Sequence, residues 1–190
     1  MSTRSLLPSR LHLAILVVAS LALAGVAHGA AAPPKCFGKA ATKVSNATVI
    51  NGTNGPDVIV GGGGDNQIYG KGGFDRICAG RGQDFISGGG GRTLAKGGAG
   101  KDAFVGKGRV DVFYGGPGED HSNPGGGADV IYGEGGNDGS NNSLGGDAGN
   151  DRIYGGDGND NIDGGDGDDV CKGGPGSDNA SDCETVGSIP

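Results

Sequence analysis

Aspartate recurs at one phase of a nine-residue period through most of this chain. Asp57, Asp75, Asp84, Asp102, Asp111, Asp120, Asp129, Asp138, Asp151, Asp160, Asp169 and Asp178 each take the sixth place of a unit written G-G-x-G-x-D-x-U-x, where U is a large apolar residue. A carboxylate next to a glycine-rich turn suits a hard cation, since Ca2+ takes 6–8 oxygens from carboxylates and backbone carbonyls. Glycines at the first, second and fourth places let the turn adopt positive φ and aim its carbonyls inward. One turn offers too few ligands, so stacked turns must share an ion.

The phase runs without a slip from "GTNGPDVIV" at Gly52 through ten units to Asn141. Four residues, Asn142 to Gly145, then break the register, and four more units carry it to Ser181. The sixth place departs from aspartate only at Asn66 and Thr93. The eighth is Ile59, Ile68, Ile77, Ile86, Phe104, Phe113, Ile131, Ile153 and Ile162, and weakens to Ala95, Ser122, Ser140, Cys171 and Ala180. Alternation predicts that the eighth residue points inward, with the seventh and ninth outward, on a three-residue strand.

If units alternate between two sides, those eighteen apart stack. The stacked pairs are then Asp57–Asp75, Asp111–Asp129, Asp84–Asp102, Asp102–Asp120, Asp120–Asp138, Asp151–Asp169 and Asp160–Asp178. An insertion that only bulges outward adds Asp129–Asp151 and Asp138–Asp160. Thr93 should interrupt one column. Asn66 keeps an oxygen without the charge. Asp65, Asp147, Asp157, Asp163, Asp166 and Asp168 lie off the phase and read as solvated surface charge.

These units resemble the RTX nonapeptides, the hemolysin-type calcium-binding repeats. In that family the first six residues form a turn that binds Ca2+ and the last three a short strand, and two units make one coil of a right-handed parallel β-roll. The resemblance implies an all-β solenoid of about seven coils over residues 52–181, with the twelve phased aspartates as calcium ligands. "CFGKAAT" and "SDCETV" also resemble the ends of small secreted RTX-type proteins of actinobacteria. The toxins and proteases that carry such repeats have a separate effector domain. Here only about twenty residues separate the leader from the first unit.

The elements outside the repeats are few. "MSTRSLLPSR", an apolar run and "AHGAAA" have the layout of a cleavable secretory signal over residues 1–29. The run is shorter than the ~20 residues a membrane span needs. Losing the leader removes two of the 15 basic residues and none of the 22 acids, so the net charge moves from −7 to about −9. That charge and the lack of a basic patch exclude nucleic acid as a natural partner.

Cys36, Cys78, Cys171 and Cys183 all follow the leader, and an even count in an exported chain predicts disulfides. Of three possible pairings, Cys36–Cys78 with Cys171–Cys183 would staple each end. Residues 30–51 and 182–190 are expected to be a cap or linker and a cap or tail.

Glycine supplies 46 of 190 residues, so folding must overcome an unusually large backbone entropy. The predicted core is thin, and the chain is expected to be disordered until calcium binds. Catalysis finds no arrangement: His121 is the one histidine beyond the leader, on an outward place, and no nucleophile–base motif occurs. The expectation is a secreted calcium-binding protein and not an enzyme. The alternative is a surface interaction or adhesion module that meets cell-wall or surface glycans through its ninth-place tyrosines, Tyr69, Tyr114, Tyr132 and Tyr154. Cross-strand aromatic packing is the simpler role for those rings.

Overall fold

The computed structural model describes residues 32–140 and 142–187, and the expected leader lies outside them. Among the described residues the regular elements are strands, shared mainly between two parallel sheets. The nine-stranded sheet takes Lys43–Val44, Val58–Val60, Phe74–Arg81, Arg92–Ala99, Val112–Pro117, Val130–Gly135, Arg152–Asp157, Val170–Lys172 and Thr185–Gly187. The eight-stranded sheet takes Val49–Asn51, Gln67–Tyr69, Phe85–Ser87, Ala103–Val105, His121–Asn123, Leu144–Gly145, Asn161–Asp163 and Asn179–Ser181. Successive strands alternate between the sheets, so the chain winds as a parallel β-roll of about 8 turns.

The register is twice the sequence period. Ile59 pairs with Ile77, and Ile68 with Ile86. Eighth-place side chains therefore pile up between the sheets, where Ile59, Ile68, Ile77, Ile86, Phe104 and Phe113 are fully buried. Small residues in this row have large neighbours. Ala95 pairs beside Phe113 and Ser122 beside Phe104, and the two phenylalanine rings stack at 5.2 Å between centroids. The Ser122 hydroxyl donates to the Gly145 carbonyl at 3.1 Å, so its burial leaves no orphaned group.

The insertion sits earlier than the sequence register placed it. Leu144, not Ser140, pairs with Ser122 and Ile162 and fills the inward place. Leu144 is buried and Ser140 is exposed. The extra residues thus fall between Asp138 and the strand that starts at Leu144. Hydrophobic burial decides the choice, because a leucine in the core gains what a serine cannot.

The roll also extends past residues 52–181 at both ends. Lys43–Val44 and Val49–Asn51 pair with the strands of the next coil, and Ile50, 2% exposed, joins the core. Thr185–Gly187 pairs with Val170–Lys172. The segments expected as cap and tail are therefore partly coils of the solenoid.

Disulfides link Cys36–Cys78 and Cys171–Cys183, one near each end, in the expected pairing. Cys36 lies on an antiparallel hairpin, Lys35–Cys36 with Lys39–Ala40. Phe37 of that hairpin meets Tyr114, with centroids 5.9 Å apart. Tyr114, Tyr132 and Tyr154 stack in register at 4.8 and 4.9 Å, and the Lys172 ammonium lies 5.5 Å from the Tyr154 ring.

Leu144→Ala is expected to lower the unfolding free energy by about 2–5 kcal/mol, and Ser140→Ala to change it by less than about 0.5 kcal/mol. Urea denaturation of the two variants reads the difference.

Candidate metal centre

Each turn is built by backbone that only glycine fits well. Gly98, at a second place, has φ 123°, and a Cβ there would overlap the Gly80 carbonyl one coil earlier. The left-handed backbone persists at that place in Lys71, Glu134 and Asp147, with φ 79°, 75° and 64°, but not in Thr53 or Lys107. The stack is so close that coil spacing, not side-chain preference, sets the conformation.

The phased aspartates stand in two columns, one along each edge of the roll. In each, a sixth-place amide donates to Oδ1 of the aspartate one coil later. One column runs from the Thr93 amide to Asp111 at 2.6 Å, Asp111 to Asp129 at 2.6 Å, Asp129 to Asp151 at 2.6 Å and Asp151 to Asp169 at 2.7 Å. The other runs from Asn66 to Asp84 at 2.8 Å, then through Asp102, Asp120, Asp138 and Asp160 to Asp178. Asp57 donates to Asp75 at 2.9 Å. Every stacked pair expected from the spacing is brought together, including the two across the insertion.

The ladder has one gap, opposite Asp75, where Thr93 has no carboxylate to offer. Asp57 also differs from the rest. Its Oδ2 accepts from the Thr53 amide at 2.6 Å and from the Thr53 hydroxyl at 3.0 Å, within its own turn.

The second oxygen of each remaining carboxylate is the informative atom. Oδ2 of Asp75, Asp84, Asp102, Asp111, Asp120, Asp129, Asp138, Asp151, Asp160, Asp169 and Asp178 is buried without a hydrogen-bond partner, as is Oδ1 of Asn66. A lone orphaned oxygen of this kind costs about 1–3 kcal/mol, and more when charged. Eleven in register point to a common partner outside the protein's own donors.

The first-place glycines form a cradle around these oxygens. A Cβ on Gly70 would lie 2.6 Å from Asp75 Oδ2 and 2.7 Å from the Gly88 carbonyl oxygen of the next coil. On Gly133 it would overlap both Asp138 Oδ2 and the Gly155 carbonyl. Glycine thus lets a carboxylate oxygen and a carbonyl oxygen from successive coils face one space. Among the described residues no three His, Cys, Asp or Glu side chains converge. Carbonyls must therefore supply much of any coordination sphere, which fits an oxygen-seeking hard cation and not a thiolate or imidazole metal.

Electrostatics agree with the geometry. Burial is the largest cause in every case and pushes Asp75, Asp111 and Asp151 from the ordinary 3.8 up to about 6. Asp102, Asp129 and Asp138 rise to about 7. Asp120 rises to about 8, with the Asp102, Asp138 and Glu134 charges adding to its burial. The amide of the preceding coil opposes the shift at each of these carboxylates.

Three features escaped the sequence reading. Glu184 closes the first column, since the Asp169 amide donates to its Oε2 at 2.5 Å. The shortened spacing of fifteen residues from Asp169 hid it from a nine-residue frame. A second ladder runs through the fifth places, where Asn137 and Asn159 each accept from the amide one coil later at 3.0 and 2.8 Å. Gly-Asn recurring just before the phased aspartate, as in "GND" at 136–138, 149–151 and 158–160, was its signal. Third, some off-phase acids are not merely solvated: Asp65 accepts from the Gln83 amide at 2.7 Å, and Asp147 from Gly125 at 2.9 Å.

The fold and these columns define a parallel β-roll of nonapeptide turns whose carboxylates are set out for a hard cation. The chain matches the family described as RTX calcium-binding nonapeptide repeat (4 copies) over residues 45–77, 69–92, 96–129, 125–139 and 145–180. It belongs to that family. The gaps in the match fall at the Thr93 unit and at the insertion. No curated protein matches the chain.

Protons compete at the same oxygens. The folded carboxyls hold protons more tightly than the unfolded chain does. The ion-free fold therefore gains stability as pH falls from about 8 towards 3.8 and loses it as pH rises through that window. Without divalent ions, strand content by circular dichroism is expected to be higher at pH 5 than at pH 8. Equal content at the two pH values would count against the burial of these groups.

Proposed function

We propose that this chain is an exported calcium-binding β-roll whose folding is coupled to Ca2+ held between stacked turns. The ligands are the phased aspartates Asp57, Asp75, Asp84, Asp102, Asp111, Asp120, Asp129, Asp138, Asp151, Asp160, Asp169 and Asp178, with carbonyls of the glycine turns. The observation that carries this reading is the row of buried, unpartnered Oδ2 atoms. At every one of these carboxylates but Asp57, the amide bond to Oδ1 leaves the other oxygen for the ion. Calcium would also offset the like-charge repulsion that adds to burial at Asp120.

Export is supported by the leader-like residues 1–29 and by two disulfides, which persist in oxidising compartments. Glycan binding through the tyrosines is the weaker reading. Both faces of Tyr132 lie against Tyr114 and Tyr154, so neither is open to a sugar ring.

Circular dichroism tests the coupling. Strand signal is expected to be low with chelator and to rise cooperatively with calcium, and an identical signal in both states overturns the reading. Asp120→Asn keeps the oxygen that accepts the Asp102 amide. It should raise the calcium midpoint on the order of tenfold, equivalent to ~1.4 kcal/mol. Thr93→Asp supplies the missing carboxylate opposite Asp75, and isothermal titration should show tighter calcium binding than in the wild type.

A further inference from the structure

The C-terminal end departs from the repeat but keeps its oxygens. The last coil of the nine-stranded sheet is Thr185–Gly187, paired in register with Val170–Lys172. Between Ser181 and this strand stand only Asp182, Cys183 and Glu184, where a full unit would carry a six-residue turn. The glycine turn is gone. Two of its elements remain in place.

The first is a carbonyl. Along the repeats, the first-place glycine faces its own aspartate's Oδ2 and the carbonyl of the first-place residue one coil later, as at Gly70. At Gly164 a Cβ would lie 2.9 Å from Asp169 Oδ2 and would overlap the Asp182 carbonyl oxygen. The Asp182 carbonyl thus stands where a first-place carbonyl would, although its φ of 50° is unlike that of the first-place residues, none of which has positive φ. The second element is a carboxylate. Glu184 Oε2 accepts from the Asp169 amide at 2.5 Å, which is the role that Asp169 Oδ1 plays for Asp151 at 2.7 Å. The longer side chain of glutamate makes up for the missing turn.

An independent observation points to a ligand here. Asp169 is 1% exposed, and its Oδ2 is buried without a partner. Cys183 stands between Asp182 and Glu184 in sequence, and its bond to Cys171 ties their loop to the core strand Val170–Lys172.

We propose that Asp169, the Asp182 carbonyl and Glu184 form a terminal calcium site outside the repeats, held in shape by the Cys171–Cys183 disulfide. It rests on the calcium reading of the repeats and adds one ion that the nonapeptide pattern does not provide. A crosslink that restricts the loop lessens the ordering that binding must impose. The terminal ion is therefore bound in the oxidised protein and weakened on reduction.

Native mass spectrometry of the full, disulfide-intact chain in calcium counts the ions. Glu184→Gln keeps an oxygen for the Asp169 amide and is expected to bind one ion fewer than the wild type. Asp157→Asn, at an exposed place off the phase, is expected to bind the full number. The paired substitution Cys171→Ser with Cys183→Ser should lose the same single ion. A full count in Glu184→Gln overturns the terminal site and leaves the repeats untouched. Should Glu184→Gln fail to reach wild-type strand content, the cysteine pair decides: one ion fewer supports the site, and a full count overturns it. A wild-type chain that binds no calcium overturns the reading of the repeats, and this site with it.

Discussion

The roll depends on stacking one carboxylate on another at the spacing of a parallel sheet. In water such a row would push itself apart. Here the amide of each sixth-place residue takes one oxygen of the next carboxylate, which sets its orientation and leaves the other oxygen buried and unanswered. Every level of the structure follows from satisfying that second oxygen. It explains why carboxyls are driven towards their protonated form and why the first place is glycine in every unit but those that open with Ala79 and Pro124. It also explains why an external cation is the natural complement.

Glycine makes the stacking possible and makes it costly. Coils approach so closely that a methyl group at Gly98 would overlap the backbone of the coil beside it. The same residue type loses the most freedom on folding. Against this the core offers one inward side chain per strand, and Phe104 and Phe113 must fill space beside Ala95 and Ser122. Two disulfides secure regions near the ends, where a coil has a neighbour on one side only.

The insertion is placed where both the carboxylate ladder and the core row survive it. Extra residues between Asp138 and Leu144 lie after the carboxylate and before the inward side chain. Asp138 therefore keeps its bond from Asp120 and gives its own amide to Asp160, while Leu144 keeps the core row. Thr93 spares the core but breaks one ladder, because a hydroxyl on a short side chain cannot stand in for an acceptor one coil away. At the C-terminus a glutamate replaces an aspartate, since its extra methylene spans the distance that a lost turn would have covered.

The spacing of aspartate and isoleucine by itself determined the stacked pairs, once units alternate between two sides, and it carried the resemblance that implied the parallel roll, because a strict period leaves a solenoid few ways to bury its apolar residues and gather its charges. The paired cysteines also followed from their positions near the two ends. Tertiary structure alone decided what lay off the period. It chose Leu144 over Ser140 because burial acts on whichever residue a loop of free length can deliver to the core. It drew Ile50 and Thr185–Gly187 into the sheets because an open sheet edge accepts any strand in register, with or without a glycine turn. It placed Glu184 over Asp169 because hydrogen bonding depends on reach across space, which a count of residues along the chain does not measure.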